Sequence, residues 1–344
     1  MKILIPLISF GKSGGIKVIS NLANSWINQG HTVTIVTTTQ DSPYYRVSAR
    51  IVWVNSKGSK KNSVLKKIYL IFDYIRKESL NYDVVIANYN LTAYPVFFGS
   101  KTKSLYYIQA YEPEFYNEIT SNRIKKWLLK FIAWLTYFLP LRRVVNSQMY
   151  KSYKNISARH VVYPGIDLKV FSPKKRNCKG KNDIFKVGCI GRTERWKGSE
   201  DVADAIRLLH NKGYDNIELV VAFNAVSYAN HSLVHPDGDA NLADFYHSLD
   251  ILITPGHIQL DAIHYPVIEA MATKTPLITT GYYPSNQNNA FIVPVKSAAV
   301  IADQIEFVIS NYEIAISKSE LAYDGIDDFS WENVSHKFIS IINE

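Results

Sequence analysis

The sequence predicts an α/β protein built from two parallel-sheet domains, and three observations lead there. The chain has 344 residues, room for two domains of ordinary size. Short apolar runs alternate with stretches of helical spacing, the pattern of βα units joined into a parallel sheet. The charge is divided as well: residues 1–170 hold 24 Lys and Arg against 8 Asp and Glu, and residues 171–344 hold 15 against 22. A basic half joined to an acidic half points to two domains with different partners. The polar, basic stretch from Ser172 to Asn182 reads as a linker. The expected domains are therefore residues 1–172 and 183–325, with residues 326–344 as a closing helix that packs back towards the first domain.

The first domain opens with a strand, Lys2 to Ser9, and a loop holding Gly11, Gly14 and Gly15. Ile16 to Gln29 then places Val18, Ile19, Leu22, Ala23, Trp26 and Ile27 on one helical side. Gly30 ends that helix, and Thr32 to Thr38 is the second strand. The loop is neither G-x-G-x-x-G nor a P-loop. A backbone approach at a helix N-terminus suits an anion; a plain tight turn fits this evidence equally. Arg50–Val54, Asp83–Ala87 and Ser104–Gln109 read as further strands, with a basic helix over Ser63–Leu80. The last strand ends in Gln109-Ala110-Tyr111-Glu112-Pro113-Glu114. Polar groups at such a strand end are site candidates, and the alternative is a solvated loop. Arg123 to Arg143 crowds Trp127, Leu128, Phe131, Ile132, Trp134, Leu135 and Phe138 between basic ends. It is too interrupted to span a bilayer. It suits a membrane interface, or else a core helix with a charged rim.

The second domain starts with the strand Phe185–Ile190 and the loop Gly191-Arg192-Thr193-Glu194-Arg195-Trp196-Lys197-Gly198. A helix over Ser199–Lys212, with Ser199 as its cap, a strand over Ile217–Ala222 and a helix over Ala240–Ser248 follow. Asp250 to Thr280 reads as strand, loop, helix, strand: Ile251–Ile253, a polar loop with Gln259, Asp261, His264 and Tyr265, a helix entered at Pro266, then Leu277-Ile278. Phe291–Val293, Ala298–Ile309 and Trp331–Ile342 complete the chain as strand, helix and amphipathic helix.

Several function classes are set aside by composition. Cys178 and Cys189 have no metal-site spacing and form no disulfide framework. Asp237-Gly238-Asp239 resembles a metal-binding D-x-D, but with no strand before it, it reads as a solvated turn; no metal is expected. The apolar run Ile3–Phe10 is too short for a secretory signal. Basic and aromatic residues do not interleave on a nucleic-acid motif. What remains is a convergence in the second domain. Arg192 and Lys197, beside two glycines at a helix start, suit a diphosphate. Glu269 can accept from a ribose diol, and Asp261 is placed for sugar hydroxyls.

Taken together, Gly14-Gly15, Gly30-His31-Thr32-Val33, Asn146-Ser147, Pro164-Gly165-Ile166-Asp167, Gly191-Arg192 with Lys197-Gly198, Tyr246 to Asp250 and Asp261 to Ala272 resemble, in order, the family-4 retaining glycosyltransferases of the GT-B fold. That resemblance implies two Rossmann-like domains facing each other across a cleft. It implies a metal-independent enzyme that moves a sugar from a nucleotide-sugar substrate to a glycan or lipid-linked acceptor, without a cofactor. By the same likeness Arg192 and Lys197 hold the diphosphate, Glu269 the ribose and Asp261 the sugar, and Gly14 and Gly15 bring backbone N–H to the phosphate. Asp261 and Glu269 match the E-x7-E loop of the family, with Asp in place of the first Glu. Ala262-Ile263-His264 replaces the usual Gly-Phe-Gly, which shifts sugar contact towards His264 and Tyr265. Gln109, Tyr111 and Glu112 match the Q-x-Y-E-P segment of a bacterial rhamnan-type surface-polysaccharide branch, implying acceptor-side roles, a catalytic one for Glu112, and a deoxysugar donor such as dTDP-rhamnose. The implied location is cytoplasmic, peripheral on the inner face of the plasma membrane through the basic first domain and Arg123–Arg143. Two other readings stand beside it: a non-catalytic partner subunit of the same fold, and a sugar-nucleotide epimerase.

Overall fold

A computed structural model describes residues 1–39, 42–55, 63–117, 122–177, 183–258 and 263–344. The chain divides into two compact units, Met1–Gly165 with Trp331–Glu344, and Ile166–Ser330. The first unit carries strands β1 (Lys2–Leu7), β2 (Thr32–Thr37), β3 (Arg50–Trp53), β4 (Val84–Ala87), β5 (Lys103–Ile108), β6 (Arg142–Val145) and β7 (His160–Val161). Its helices are α1 (Gly14–Asn28), α2 (Val64–Glu78), α3 (Asn90–Gly99) and α4 (Arg123–Leu135). The second unit holds β8 (Phe185–Gly191), β9 (Ile217–Phe223), β10 (Ser232–Val234), β11 (Ile251–Thr254), β12 (Leu277–Thr279) and β13 (Phe291–Ile292). Its helices are α5 (Ser199–Asn211), α6 (Gly238–Ser248), α7 (Tyr265–Ala272), α8 (Ala298–Ser310) and α9 (Tyr312–Asp324); α10 (Trp331–Asn343) returns to the first unit.

All strand pairs in both sheets are parallel, in the orders β3-β2-β1-β4-β5-β6-β7 and β10-β9-β8-β11-β12-β13. In the first sheet, side chains alternate between two cores, as strand geometry requires. Ile3, Ile5, Val33, Ile35, Val84 and Ile86 pack with α1 and α10. Leu4, Val36, Val85, Tyr106 and Val145 pack with α2 and α3 on the other face. Trp26 meets Phe338 edge-on at 5.4 Å between ring centroids and donates from Nε1 to the Ser335 carbonyl at 3.2 Å, which fixes α10 onto α1. Each sheet reverses its winding once, between β1 and β4 and between β8 and β11. Such switch points leave a crevice beyond the carboxyl ends of the strands, where open α/β sheets bind ligands.

The structure departs from the sequence reading in several places. Helix α3 was not expected, because Pro95 lies inside it. Neither α9 nor the edge strand β10 was expected. With β10 in place, Asp237 is the residue before α6 and Gly238-Asp239 begin that helix rather than forming a solvated turn. Gly198, not Ser199, precedes α5; the Ser199 hydroxyl instead donates to the Arg192 carbonyl at 3.3 Å. The unit boundary falls at Gly165 rather than 172: Ile166 N–H donates to the Phe329 carbonyl at 2.7 Å, and Phe171 is buried beside Tyr246. Nor is the described part of the expected linker loose. Arg176 donates to the carbonyls of Tyr246, His247 and Leu249 at the end of α6, where a cation offsets the helix dipole.

Candidate functional site

In the second unit the switch point is assembled by close backbone packing. A Cβ on Gly191 would lie 1.7 Å from the Asn224 carbonyl oxygen. One on Gly198 would lie 2.3 Å from that of Pro255, and Gly198 has φ +75°, a conformation that favours glycine. One on Gly256 would lie 1.8 Å from the Tyr282 hydroxyl. The loops after β8 and β11 thus press together, and His257 N–H donates to the Trp196 carbonyl at 2.8 Å.

That packing sets four candidate side chains. Lys197 lies half-buried with Nζ 4.1 Å from the centroid of Trp196. Burial, and then the Arg192 charge, lower its pKa. Arg192 is exposed and rests over Phe223, 5.9 Å from the ring centroid. His264, the residue before α7, stacks on Tyr282 at 4.2 Å and 10°. Burial, then Lys197 and Arg192, push its pKa down to about 3, so the ring is neutral at pH 7. Its Nδ1 is sealed from solvent with no hydrogen-bond partner among the described residues. Glu269, one turn into α7, is buried and accepts from the Tyr246 hydroxyl at 2.7 Å. Arg192 also acts on Tyr246, so one field joins the two cations, His264 and the Tyr246–Glu269 pair. Tyr265 is the first residue of α7. Asp261 and Ala262 lie outside the described residues.

At the switch point of the first unit lies a cavity of about 550 Å³. Ile8 after β1, Gly14 and Gly15 opening α1, Asn88 and Tyr89 after β4, and Gln109 after β5 line it. Glu112 and Phe115, from the short 3₁₀ turn Glu112–Asn117, complete the wall. Gln109 donates from Nε2 to the Gly15 carbonyl at 3.3 Å, so Gln109, Gly14, Gly15 and Glu112 are brought together. The Glu112 carboxyl is buried and accepts from the Tyr106 hydroxyl at 2.5 Å. Burial raises its pKa to about 8, opposed by the Tyr106 hydrogen bond. Tyr111 is not part of this wall. Its ring packs against Tyr137 and Tyr153, with Lys154 Nζ 4.6 Å from its centroid. Sequence reasoning missed Asn88, Tyr89 and Phe115. The strand-end rule that selected Gln109 would have found the first two, since they follow β4 directly.

Among the described residues no group of His, Cys, Asp or Glu is placed to hold a metal ion, and no helix is long and apolar enough to cross a membrane. Helix α4 leaves its apolar face open: Ile124 is 80% exposed, Trp127 65% and Leu128 48%.

Two family models match, one in each unit. Residues 13–170 match Glycosyltransferase Family 4, and residues 184–311 match Glycosyl transferases group 1. The chain is 24% identical over 201 residues to D-inositol 3-phosphate glycosyltransferase of Paenarthrobacter aurescens (strain TC1), covering 51% of this chain and 49% of that protein. It is 25% identical over 147 residues to the capsular polysaccharide biosynthesis glycosyltransferase CapM of Staphylococcus aureus, covering 38% of each. The match thus spans about half the length of the first of these relatives, and less of the second. Among solved structures, sucrose-phosphate synthase from Thermosynechococcus elongatus superposes with TM-score 0.73 at 13% identity, over 99% of this chain and 98% of that one. Anabaena Alr3699/HepE in complex with UDP-glucose gives 0.70 at 13% identity, over 100% and 99%.

Proposed function

We propose, for a chain that belongs to the family-4 glycosyltransferases of the GT-B fold, that it transfers a sugar from a nucleoside diphosphate to a hydroxyl of a glycan or lipid-linked glycan. Transfer retains configuration and uses no metal. The observation that carries this reading is the meeting of Arg192 and Lys197 at the second switch point. Burial, and then the Arg192 charge, disfavour protonated Lys197, and a bound diphosphate offsets both. Arg offers a fork and Lys a point charge, the pair suited to two phosphates. As the sugar bond breaks, negative charge grows on the leaving diphosphate, and two preplaced cations stabilise it. Glu269, held by Tyr246, accepts from the ribose diol. Neutral His264, stacked on Tyr282, borders the sugar, and Asp261 takes a sugar hydroxyl.

The test is release of nucleoside diphosphate from a donor panel containing UDP-glucose and dTDP-rhamnose. Lys197→Ala should lower turnover by about 10²-fold or more. Wild-type protein that binds donors but releases nothing, with or without acceptor, would instead fit a non-catalytic partner.

The membrane side of the proposal rests on α4. Its open apolar face carries Trp127 stacked on Phe131 at 5.3 Å, with exposed Arg123 and Lys125 and half-buried Lys126 alongside. Aromatic and basic residues together favour an anionic bilayer surface. Sedimentation with vesicles containing phosphatidylglycerol, weakened by salt, is the expected result; equal binding to neutral vesicles and to DNA would contradict it.

A further inference from the structure

A second cavity, of about 260 Å³, lies at the other end of the first sheet. Arg142 opens β6 and His160 opens β7, so the cavity sits at the amino ends of the parallel strands, opposite the switch point. Arg142, Arg143, Arg159 and His160 line it, and Glu344 is its one lining carboxylate among the described residues. The sugar-transfer chemistry proposed above uses none of these groups.

The three arginines are held differently. Arg143 is fixed by carbonyls: Nε donates to Ser157 at 2.9 Å, and Nη1 donates to Tyr137 and Leu139 at 2.7 and 3.1 Å. Its Nη2 has no partner among the described residues. Burial lowers the pKa of Arg143, as it does for a cation with no counter-ion beside it. Arg142 donates from Nη1 to the Ile341 carbonyl in the last turn of α10, and Lys103 Nζ donates to that of Ile342 at 3.2 Å. Offsetting the α10 dipole accounts for that bond and leaves the other N–H groups of the Arg142 fork. Arg159 is exposed and has neither a hydrogen bond nor an ion pair among the described residues. Glu344 does not neutralise the group: its carboxylate is half exposed and faces His160 Nε2 at 3.3 Å.

The wall itself is strained. Lys154, Asn155 and Ser157 have φ of +42°, +72° and +47°, a region that disfavours residues with a Cβ. This turn brings the Ser157 carbonyl to Arg143. Such strain is found where a binding site is held in shape. Two anchored guanidinium forks and one mobile fork around a small cavity match a tetrahedral oxyanion, which takes several charge-assisted hydrogen bonds at once.

We infer that this cavity binds a phosphate group through Arg142, Arg143 and Arg159, and that Glu344 competes with it. The inference does not rest on the glycosyltransferase reading. The carbonyls on Arg143 flank Phe138, which is 53% exposed just beyond α4. The phosphate can therefore come from a lipid headgroup or from a soluble ester.

The test is titration of the full chain with inorganic phosphate at constant pH and ionic strength, read by NMR at the His160 ring. His160→Gln assigns that signal, so phosphate taken up by Arg192 and Lys197 does not register. A saturable shift is expected, with affinity about tenfold weaker in Arg159→Ala and several-fold tighter in Glu344→Gln. Arg159 is exposed, and matched melting curves show that the fold survives its removal. No saturable shift, or equal affinity in Arg159→Ala and the wild type, would overturn the inference. A second arm separates the sources by sedimentation with phosphatidylglycerol vesicles. Weaker sedimentation of Arg159→Ala assigns the phosphate to a lipid headgroup. Unchanged sedimentation, with phosphate binding lost in the same variant, assigns it to a soluble ester.

Discussion

The two units share a topology and put their candidate sites at the same place, yet they fill it with opposite chemistry. Both sheets reverse winding once, and both sites lie beyond the strand ends at that reversal. In the second unit the loops are locked by glycines that admit no Cβ, and the lining is cationic. At the site of the first unit the two glycines opening α1 are sterically free: a Cβ on Gly14 would meet nothing within 4 Å, and one on Gly15 would meet only the Gln109 side chain, at 3.4 Å. Its lining is aromatic and amide. The fold chooses the location; the side chains at the strand ends choose the ligand.

That contrast is breakable. The largest effect should come from Gly198→Ala, which places a methyl against the Pro255 carbonyl in a left-handed conformation. A loss of roughly 3 kcal/mol is expected in denaturant unfolding. Gly15→Ala should leave stability unchanged or slightly raised, since alanine is the better helix former by roughly 0.5–1 kcal/mol. Any loss of activity in that variant then reports a ligand approaching the α1 backbone. Next in size is Arg192→Ala, expected to cost about 10²-fold in donor turnover with an unchanged melting temperature, because the side chain is exposed.

A subtler prediction uses the opposite pH responses of the two sites. His264 titrates near 3 in the folded chain against an ordinary 6.5, so the unfolded chain binds the extra proton between those values. Its contribution to stability is full above about 6.5 and is lost as pH falls towards 3. Glu112 titrates near 8 against an ordinary 4.5, so there the folded chain holds the extra proton, and stability falls as pH rises from 4.5 to 8. Melting curves should show Glu112→Gln gaining on the wild type as pH rises to 8, and His264→Phe gaining on it as pH falls below 6. Reversed signs would contradict the burial of either group. The smallest effect is at α4: Trp127→Ser should weaken partition to anionic vesicles several-fold and leave the melting temperature alone, because Trp127 is 65% exposed.

Much of this was legible in the residues. Alternating apolar runs and helical spacings located most strands and the helices with a clear amphipathic face, α1, α5 and α10 among them. Arg192, Lys197 and Glu269 could be selected because strand-end positions carry chemistry in such sheets. What escaped was decided by long-range contact or by weak local signal. Helix α3 is apolar on several sides and contains Pro95, so no periodic face announces it. Strand β10 has three residues and pairs only at the sheet edge. Tyr246 and Glu269 stand 23 positions apart, and nothing local says that they share a hydrogen bond. The stacking of His264 on Tyr282 and the turn of Tyr111 away from the cavity are likewise tertiary facts. Asp261, chosen from its position before α7, lies outside the described residues, and its role stays with the proposal above.

The central claim is that Arg192 and Lys197 form a diphosphate site within the second unit. Calorimetric titration of UDP and dTDP into the wild type, Lys197→Ala and Phe115→Ala tests it directly. The account predicts nucleotide binding that falls about tenfold or more in Lys197→Ala and is unchanged in Phe115→Ala. Binding that survives Lys197→Ala intact, or that is lost in Phe115→Ala, would contradict it.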